Sequence, residues 1–368
     1  MRRLGTPAAR PLPEAPPAPP ETGLEKLLLF PEKIASLAGS GAVPDPLYPV
    51  SVELSLTNRC NLGCVYCSDA AIRGRPDRLD HGALKRLFGD LAAGGARGVV
   101  FEGGGEPLLS GGFARAAEDC LAAGLSAGLI TNGLLLFSGG APAGLLRRFQ
   151  WIRVSLDAST AAQYRALKGA DGFGRALANI GALCRLGPPG PAVGAGYVLT
   201  SLNDDPRPLR ELAARLRDMG ADYLQIRPVV DHPELESRRD PDRDLAPALA
   251  GLDGPTFNVN LAPLRENLPA GNLGLPCRAH SLSAVICADG RVFVCGRLNS
   301  DPDFPPMGVV GPAPGDGFGD VWRGDARAAQ SALLLDPGYC AARCPRCRMT
   351  KYNRLLAGLA RIKTPDFI

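Results

Sequence analysis

The sequence predicts an α/β fold, a partial (β/α)6 barrel followed by a small cysteine-rich domain. Two observations carry this. Six β-prone apolar runs alternate with helical patterns, and nine of the eleven cysteines fall into two groups, one after the first run and one near the end. The 368 residues, 45% hydrophobic and 21% charged, are enough to bury a sizeable core, which excludes wholesale disorder.

Seven prolines crowd residues 1–20, so 1–49 reads as a proline-rich arm with a short amphipathic segment at Leu24–Ala38. The barrel is expected over 50–231. Its strands are Val50–Leu56, Gly98–Glu102, Ser126–Thr131, Trp151–Leu156, Val193–Leu199 and Tyr223–Arg227. Leu84, Leu87, Phe88 and Leu91 make one i, i+3, i+4, i+7 helical face, and Leu209, Leu212, Ala213 and Leu216 another. Strands alternating with helices argue a parallel sheet with right-handed crossovers, and six units rather than eight argue an incomplete barrel. Residues 232–275, rich in Pro, Asp and Arg, read as a linker; 276–350 hold the second cysteine group, and 351–368 form a basic tail.

Several function classes fall away on composition. No uncharged apolar run reaches the ~18 residues of a membrane span, and the N-terminal arginines precede no apolar stretch of a secretory signal. A net charge of +4 is too small for a nucleic-acid polycation. Arg343, Arg346, Arg348 and Lys351 could bind phosphate or RNA, but only Tyr352 offers an aromatic platform nearby, so nucleic acid is not expected. An odd number of clustered cysteines reads as metal ligands in a reducing cytoplasm rather than as disulfides.

The first group, Cys60, Cys64 and Cys67, has the spacing C-x3-C-x2-C just after the first expected strand. A structural zinc site wants four protein ligands, so three thiolates argue for an open coordination position. His81 could supply a fourth, though no spacing rule favours it. Loops at the C-terminal ends of barrel strands are where such folds build active sites. With aromatic Tyr66 before the last cysteine, the motif resembles that of radical S-adenosylmethionine (SAM) enzymes. The resemblance runs through Gly103-Gly104-Gly105-Glu106-Pro107, Thr131-Asn132-Gly133 and Ser155-Leu156-Asp157, in barrel order over about 50–230. It implies a partial (β/α)6 TIM-like barrel and a 4Fe–4S cluster on the three cysteines. It also implies SAM contacts from Tyr66, Gly104, Gly105, Glu106, Asn132, Ser155 and Asp157. Reductive cleavage of SAM to a 5′-deoxyadenosyl radical, with flavodoxin or ferredoxin as electron donor, follows from the same resemblance. Arg165 and Lys168 could neutralise the SAM carboxylate or lie on a solvated helix face.

The second group runs Cys277, Cys287, Gly290-x4-Cys295, then Cys340-x3-Cys344-x2-Cys347, with Asp289-Gly290 signalling a hairpin turn. It resembles the C-terminal SPASM or twitch extensions of radical SAM proteins. That implies one auxiliary 4Fe–4S cluster on Cys277, Cys295, Cys344 and Cys347. Cys340 is the substitute ligand and Cys287 a hairpin core residue. Six cysteines are too few for two four-thiolate clusters, and a four-thiolate zinc knuckle is the alternative. Cys120 and Cys184 fall on apolar helical faces and read as core. Gly194-Ala-Gly196 lacks the following helix and third glycine of a dinucleotide fingerprint. His232 and His280 read as structural or surface residues.

For the substrate, the expected reading is oxidation of a small polar, sugar-like or aminocyclitol metabolite, with the auxiliary cluster accepting the electron and Arg227 touching substrate. Only 59 residues, many of them proline-rich, precede Cys60, whereas many peptide-modifying relatives carry a folded leader-binding domain there. The alternatives are maturation of a ribosomally made peptide by cross-linking or epimerisation, and a metal-binding module without catalysis.

Overall fold

The computed structural model describes residues 24–39, 47–77, 79–138, 141–230, 232–261, 264, 274–299, 301, 303–313, 315–344 and 347–361. The arm expected over 1–20, most of 262–273, Arg346 and the tail beyond 361 lie outside these residues.

Among the described residues ten strands form one sheet: β1 (Ser51–Leu54), β2 (Gly98–Phe101), β3 (Ser126–Thr131), β4 (Trp151–Ser155), β5 (Ala192–Leu199), β6 (Tyr223–Pro228), β7 (Asn258–Asn260), β8 (Ser283–Ile286), β9 (Arg291–Phe293) and β10 (Gly308–Val309). Their order is β10-β9-β8-β1-β2-β3-β4-β5-β6-β7. The six expected strands form its parallel centre. The outermost strands β10 and β7 are not neighbours, so the barrel stays open.

Two parts differ from expectation. The 232–275 stretch, expected as linker, supplies β7, which pairs parallel with β6. Its Asn-Val-Asn sequence is too short and polar to show a period. The cysteine-rich region is likewise joined to the barrel sheet: β8 pairs parallel with β1, and the Asp289-Gly290 turn returns the chain as antiparallel β9. Gly290 holds a φ of +83° there, and an added Cβ would lie 2.3 Å from the Val310 carbonyl oxygen, so only glycine fits. Residues expected as a basic tail form the helix Thr350–Leu359. Its Leu356 packs with Leu27, Leu37, Ala279 and Leu282, so the amphipathic N-terminal segment and this helix share a second small core.

β1, β4 and β6 each have an apolar and a polar face, as the two-residue period allows, while β2, β3 and β5 put glycine or apolar residues on both. Val52, Leu54, Val99, Phe101, Ile152, Val154, Leu224 and Ile226 are buried with Leu84, Leu87, Phe88 and Leu91 of the helix His81–Ala93 in one core. The other face of the same strands carries Glu53, Arg153, Ser155, Tyr223, Gln225 and Arg227, all half-buried. These polar residues line the barrel interior. Gly128 and Gly194 make room for large neighbours: a Cβ on them would sit 2.5 Å from the Trp151 ring and 2.1 Å from the Tyr223 ring. Gly194-Ala-Gly196 is thus a lumen spacer, with the Arg153 side chain lying 3.6 Å from where a Gly196 Cβ would be.

Candidate active site

The loop after β1 is anchored before it reaches its cysteines. Thr57 Oγ1 donates to Asp77 Oδ2 at 2.6 Å and the Asn58 amide to Asp77 Oδ1 at 2.8 Å, pinning both ends of the segment. The loop's far side rests on the helix Ala161–Lys168. The Gly63 and Val65 amides donate to the carbonyls of Lys168 and Leu167, at 3.1 and 2.9 Å. That helix starts at a Thr160–Gln163 capping box and ends at Gly169, with φ +69°, so its terminal carbonyls are presented to the loop.

Cys60, Cys64 and Cys67 are partly exposed at this loop and lie within electrostatic reach of one another. Burial first, then neighbouring charge, pushes the Cys60 and Cys64 thiols up, while Lys168 pulls Cys64 back down. Arg73 stands against all three. Burial alone would lower it, but a hydrogen bond with Cys67 and the charges of the three sulfurs hold it raised. A cation within reach of three thiols of one loop suits an anionic thiolate cluster. His81 takes no part: its Nδ1 lies 3.3 Å from Asp119 Oδ2.

The glycine segment after β2 is fitted against this loop. Gly103 and Gly104 hold φ of +72° and +59°, and a Cβ on Gly105 would fall 2.0 Å from the Arg59 carbonyl oxygen. The Glu106 amide donates to that same oxygen at 2.9 Å. The Glu106 carboxylate is buried and accepts from Thr131 Oγ1 at 2.6 Å, the Asn132 amide at 2.8 Å and the Leu108 amide at 3.1 Å. Asn132 in turn donates to Asn61 Oδ1 at 2.7 Å. Three separate motifs are thereby locked together, and the glycines let the segment after β2 pack backbone to backbone against the cysteine loop, where a Cβ on Gly104 would lie 2.7 Å from Asn58 Oδ1. The donor set, three thiols on one anchored loop with the Arg73 cation beside them, fits a 4Fe–4S cluster that keeps one open position.

Asp157, at the end of β4, has φ +56° and is 2% exposed. A non-glycine residue held there is strained unless its surroundings over-determine it. They do: Oδ1 accepts from the Val198 amide at 2.8 Å, and Oδ2 from Tyr66 OH and Lys168 Nζ, both at 2.8 Å. Burial opposes the charge, yet Lys168 holds the Asp157 carboxyl below its ordinary value. Lys168 is thus neither on a solvated face nor free. Its ammonium is buried between Asp157 and the Ser155 carbonyl, while Arg165 is exposed beside Asp171.

The second cysteine group gathers beneath the hairpin. Burial first, then Cys347 and later Cys340 and Cys295, raises Cys277 well above the usual thiol value. Burial, Cys295 and Cys347 push Cys344 up to about 12. Three of these sulfurs accept N–H donors: Cys277 from Asn353, Cys295 from Arg297 and Cys347 from Met349, at 3.4–3.5 Å. Cys340 instead donates its S–H to the Leu334 carbonyl at 2.9 Å, fully buried. Cys287, also buried, feels Asp289 after burial and none of its fellow cysteines. His280 braces Cys277, with one ring nitrogen at its carbonyl and the other 2.9 Å from Ser331 Oγ. Cys120 is fully buried in the main core. His232 pairs with exposed Glu234 at 3.2 Å.

The barrel interior between the two groups is charged. Arg348, next to Cys347, pairs with Glu53 of β1. Arg153 Nη1 donates to Gln225 Oε1 at 2.7 Å. Arg227 is depressed to about 10 by Arg153 first and burial second, against Asp157 and Glu102. That Arg227 on β6 feels Glu102 at the end of β2 requires a curled sheet, since four flat spacings would separate them by ~19 Å. Glu102, Asp77, Arg73 and Arg153 were not anticipated. Only Glu102's place two residues beyond Val100 on the lumen face hints at its position.

Burial, then Glu53, raises Glu102 to about 7 from the ordinary 4.5. A carboxyl raised on folding contributes stability below 4.5 that is lost as pH rises through about 7. Glu102→Gln should therefore gain on the parent as pH climbs from 5 to 8, by about 1–2 kcal/mol after solvent screening. Anaerobic melts of both proteins across that range measure the gap. A gap that does not change with pH refutes the placement of Glu102.

Residues 54–213 match the family described as Radical SAM superfamily. A PqqA peptide cyclase of Xanthomonas campestris pv. campestris is 36% identical over 95 residues, covering 26% of this chain and 24% of that protein. A protein of Methanopyrus kandleri named Probable GTP 3′,8-cyclase is 39% identical over 121 residues, 32% of this chain and 37% of its own. The chain thus spans well under half the length of these curated relatives. Streptococcus suis SuiB bound to precursor peptide SuiA shares the fold, with a TM-score of 0.59 at 15% identity over 82% of this chain and 70% of that one.

Proposed function

This chain carries a radical SAM domain, whose cofactors are a 4Fe–4S cluster and SAM, and from that premise we propose that it modifies a peptide by hydrogen abstraction. The bound cofactors supply the chemistry by generating a 5′-deoxyadenosyl radical from SAM. In this reading Cys60, Cys64 and Cys67 ligate the cluster, with Arg73 balancing its charge. Gly104, Gly105, Asn132 and Ser155 line the adjoining SAM site. Glu106, Tyr66 and Asp157 hold that site's shape through the hydrogen bonds given above. Cys277, Cys295, Cys344 and Cys347 hold one auxiliary cluster, because they lie within electrostatic reach of one another and three of them accept N–H donors, while the neighbouring Cys340 donates its S–H to the Leu334 carbonyl and Cys287 faces Asp289.

The observation favouring a peptide is the similarity to a peptide cyclase across part of the barrel. Oxidation of a small polar metabolite is the second reading, favoured by the charged interior. Reduced enzyme incubated with SAM and either a co-encoded short peptide or candidate polyols separates them by substrate mass. A peptide changed in mass supports the proposal. Loss of two hydrogens from a polyol, with every peptide untouched, reverses the ranking. We take a flavodoxin or ferredoxin as electron donor and the cytoplasm as location; among the described residues no helix is long and apolar enough to cross a membrane.

The auxiliary site gives its own measurement. Anaerobically reconstituted protein should hold about eight iron atoms per chain, four for each of two clusters. A value near twelve, or stoichiometric zinc, contradicts the single-cluster assignment.

A further inference from the structure

Arg153 and Arg227 stand together in the barrel interior with donors to spare. The Nε of each is buried without a hydrogen-bond partner. Arg153 uses one amino group on Gln225, and among the described residues the Arg227 side chain makes no hydrogen bond or ion pair. Two half-buried guanidiniums that feel each other's charge, each with a buried and unpaired Nε, are costly unless an anion joins them. The protein's own carboxylates do not fill that role. Glu53 is taken by Arg348 and Asp157 by Lys168. Glu102, raised to about 7 by burial and Glu53, is only partly ionised at neutral pH; it feels both arginines but makes no hydrogen bond to either among the described residues. The interior therefore carries an excess of positive charge.

The sequence builds this arrangement deliberately along three strands. Arg153 pairs in register with Gly194, and Gly196 with Gln225. The absent side chains at Gly194 and Gly196 let Arg153 reach across β5 to β6. Arg227 lies two residues past Gln225 on the same face, about 6.6 Å further toward the barrel mouth. Arg153 itself lies two residues below Ser155, deeper than the SAM site proposed beside the cysteine loop.

We propose that Arg153 and Arg227 form a receptor for a carboxylate on the substrate, which in the peptide reading is an Asp or Glu side chain near the abstracted hydrogen. The planar forks of two guanidiniums suit a carboxylate, which can accept from both at once. The substrate's acid would neutralise the pair and fix the register of an otherwise extended chain.

The test uses the full chain, reconstituted and SAM-saturated but without reductant, so that binding is read without turnover. N-acetylglutamate N-methylamide and its glutamine counterpart are titrated by calorimetry or ligand-observed NMR. The glutamate probe should bind at least ~10-fold more tightly, as the loss of a charge-assisted pair implies. Arg227→Gln should abolish that preference and Arg227→Lys should keep part of it, with cooperative melts checking that both variants fold. Equal binding of the two probes by the parent protein, or an undiminished preference in Arg227→Gln, overturns the proposal. So does a preference present without SAM and lost once SAM is saturating, which assigns the pair to SAM's own carboxylate. Glutarate serves as a third probe: if it binds as tightly as the glutamate probe, the receptor stands while the peptide reading loses support.

Discussion

Replacing Cys60, Cys64 and Cys67 together by alanine is expected to reduce reductive SAM cleavage to background, a loss of at least ~1,000-fold in 5′-deoxyadenosine formed under dithionite. The three thiols share one loop and act together on Arg73. Iron should fall by about four per chain while the auxiliary cluster's share remains. Cys120→Ala is the control, since that thiol is fully buried in the main core and reaches none of the three. It should cost modest stability and leave 5′-deoxyadenosine formation unchanged. If the triple variant still cleaves SAM, or if Cys120→Ala abolishes cleavage, the first cysteine group is not the cluster site.

What the sequence revealed follows from how local each signal is. The six central strands carry β-prone runs of four to eight residues bounded by helical faces, and all six stand within two residues of expectation. The Cys60, Cys64 and Cys67 motif was readable because its spacing is confined to one loop. β7 was missed because a three-residue strand shows no period of its own, and the expected hairpin gave no sign that its strand β8 would pair with β1. Their pairing is decided by what remains uncovered at the sheet edges. The same limit hid the charged interior. Glu53, Glu102, Arg153, Arg227 and Arg348 come from residues spread over 296 positions, and nothing in the sequence of any one strand announces that they meet. Arg227 was reachable only as an inward-pointing residue at a strand end. Lys168 was read for its charge and helix position, whereas its partner Asp157 lies eleven residues back. A buried ion pair formed around a strained φ leaves no periodic trace.

That pair carries the largest stability effect in the barrel. Lys168 and Asp157 are each 2% exposed and 2.8 Å apart. Removing one partner strands the other as a buried charge, which costs about 3–5 kcal/mol. Lys168→Met should therefore lower anaerobic denaturant stability by that amount and release Tyr66 and the cysteine loop, which rest on the same carboxylate and helix end. Adding Asp157→Asn should return about 1–3 kcal/mol. Asparagine tolerates the positive φ, still accepts from the Val198 amide and leaves no charge unpaired. The dependence on pH has a fixed sign. Asp157 is depressed in the parent, so its contribution is present above the ordinary carboxyl value and lost on acidification. In Lys168→Met the unpaired carboxyl is pushed up by burial and protonates readily. The gap between parent and variant should thus narrow as pH falls from 7 toward 4. A double variant no more stable than Lys168→Met, with a gap that does not change with pH, would mean that Lys168 acts through packing of its aliphatic stem against Tyr164 and not through its charge.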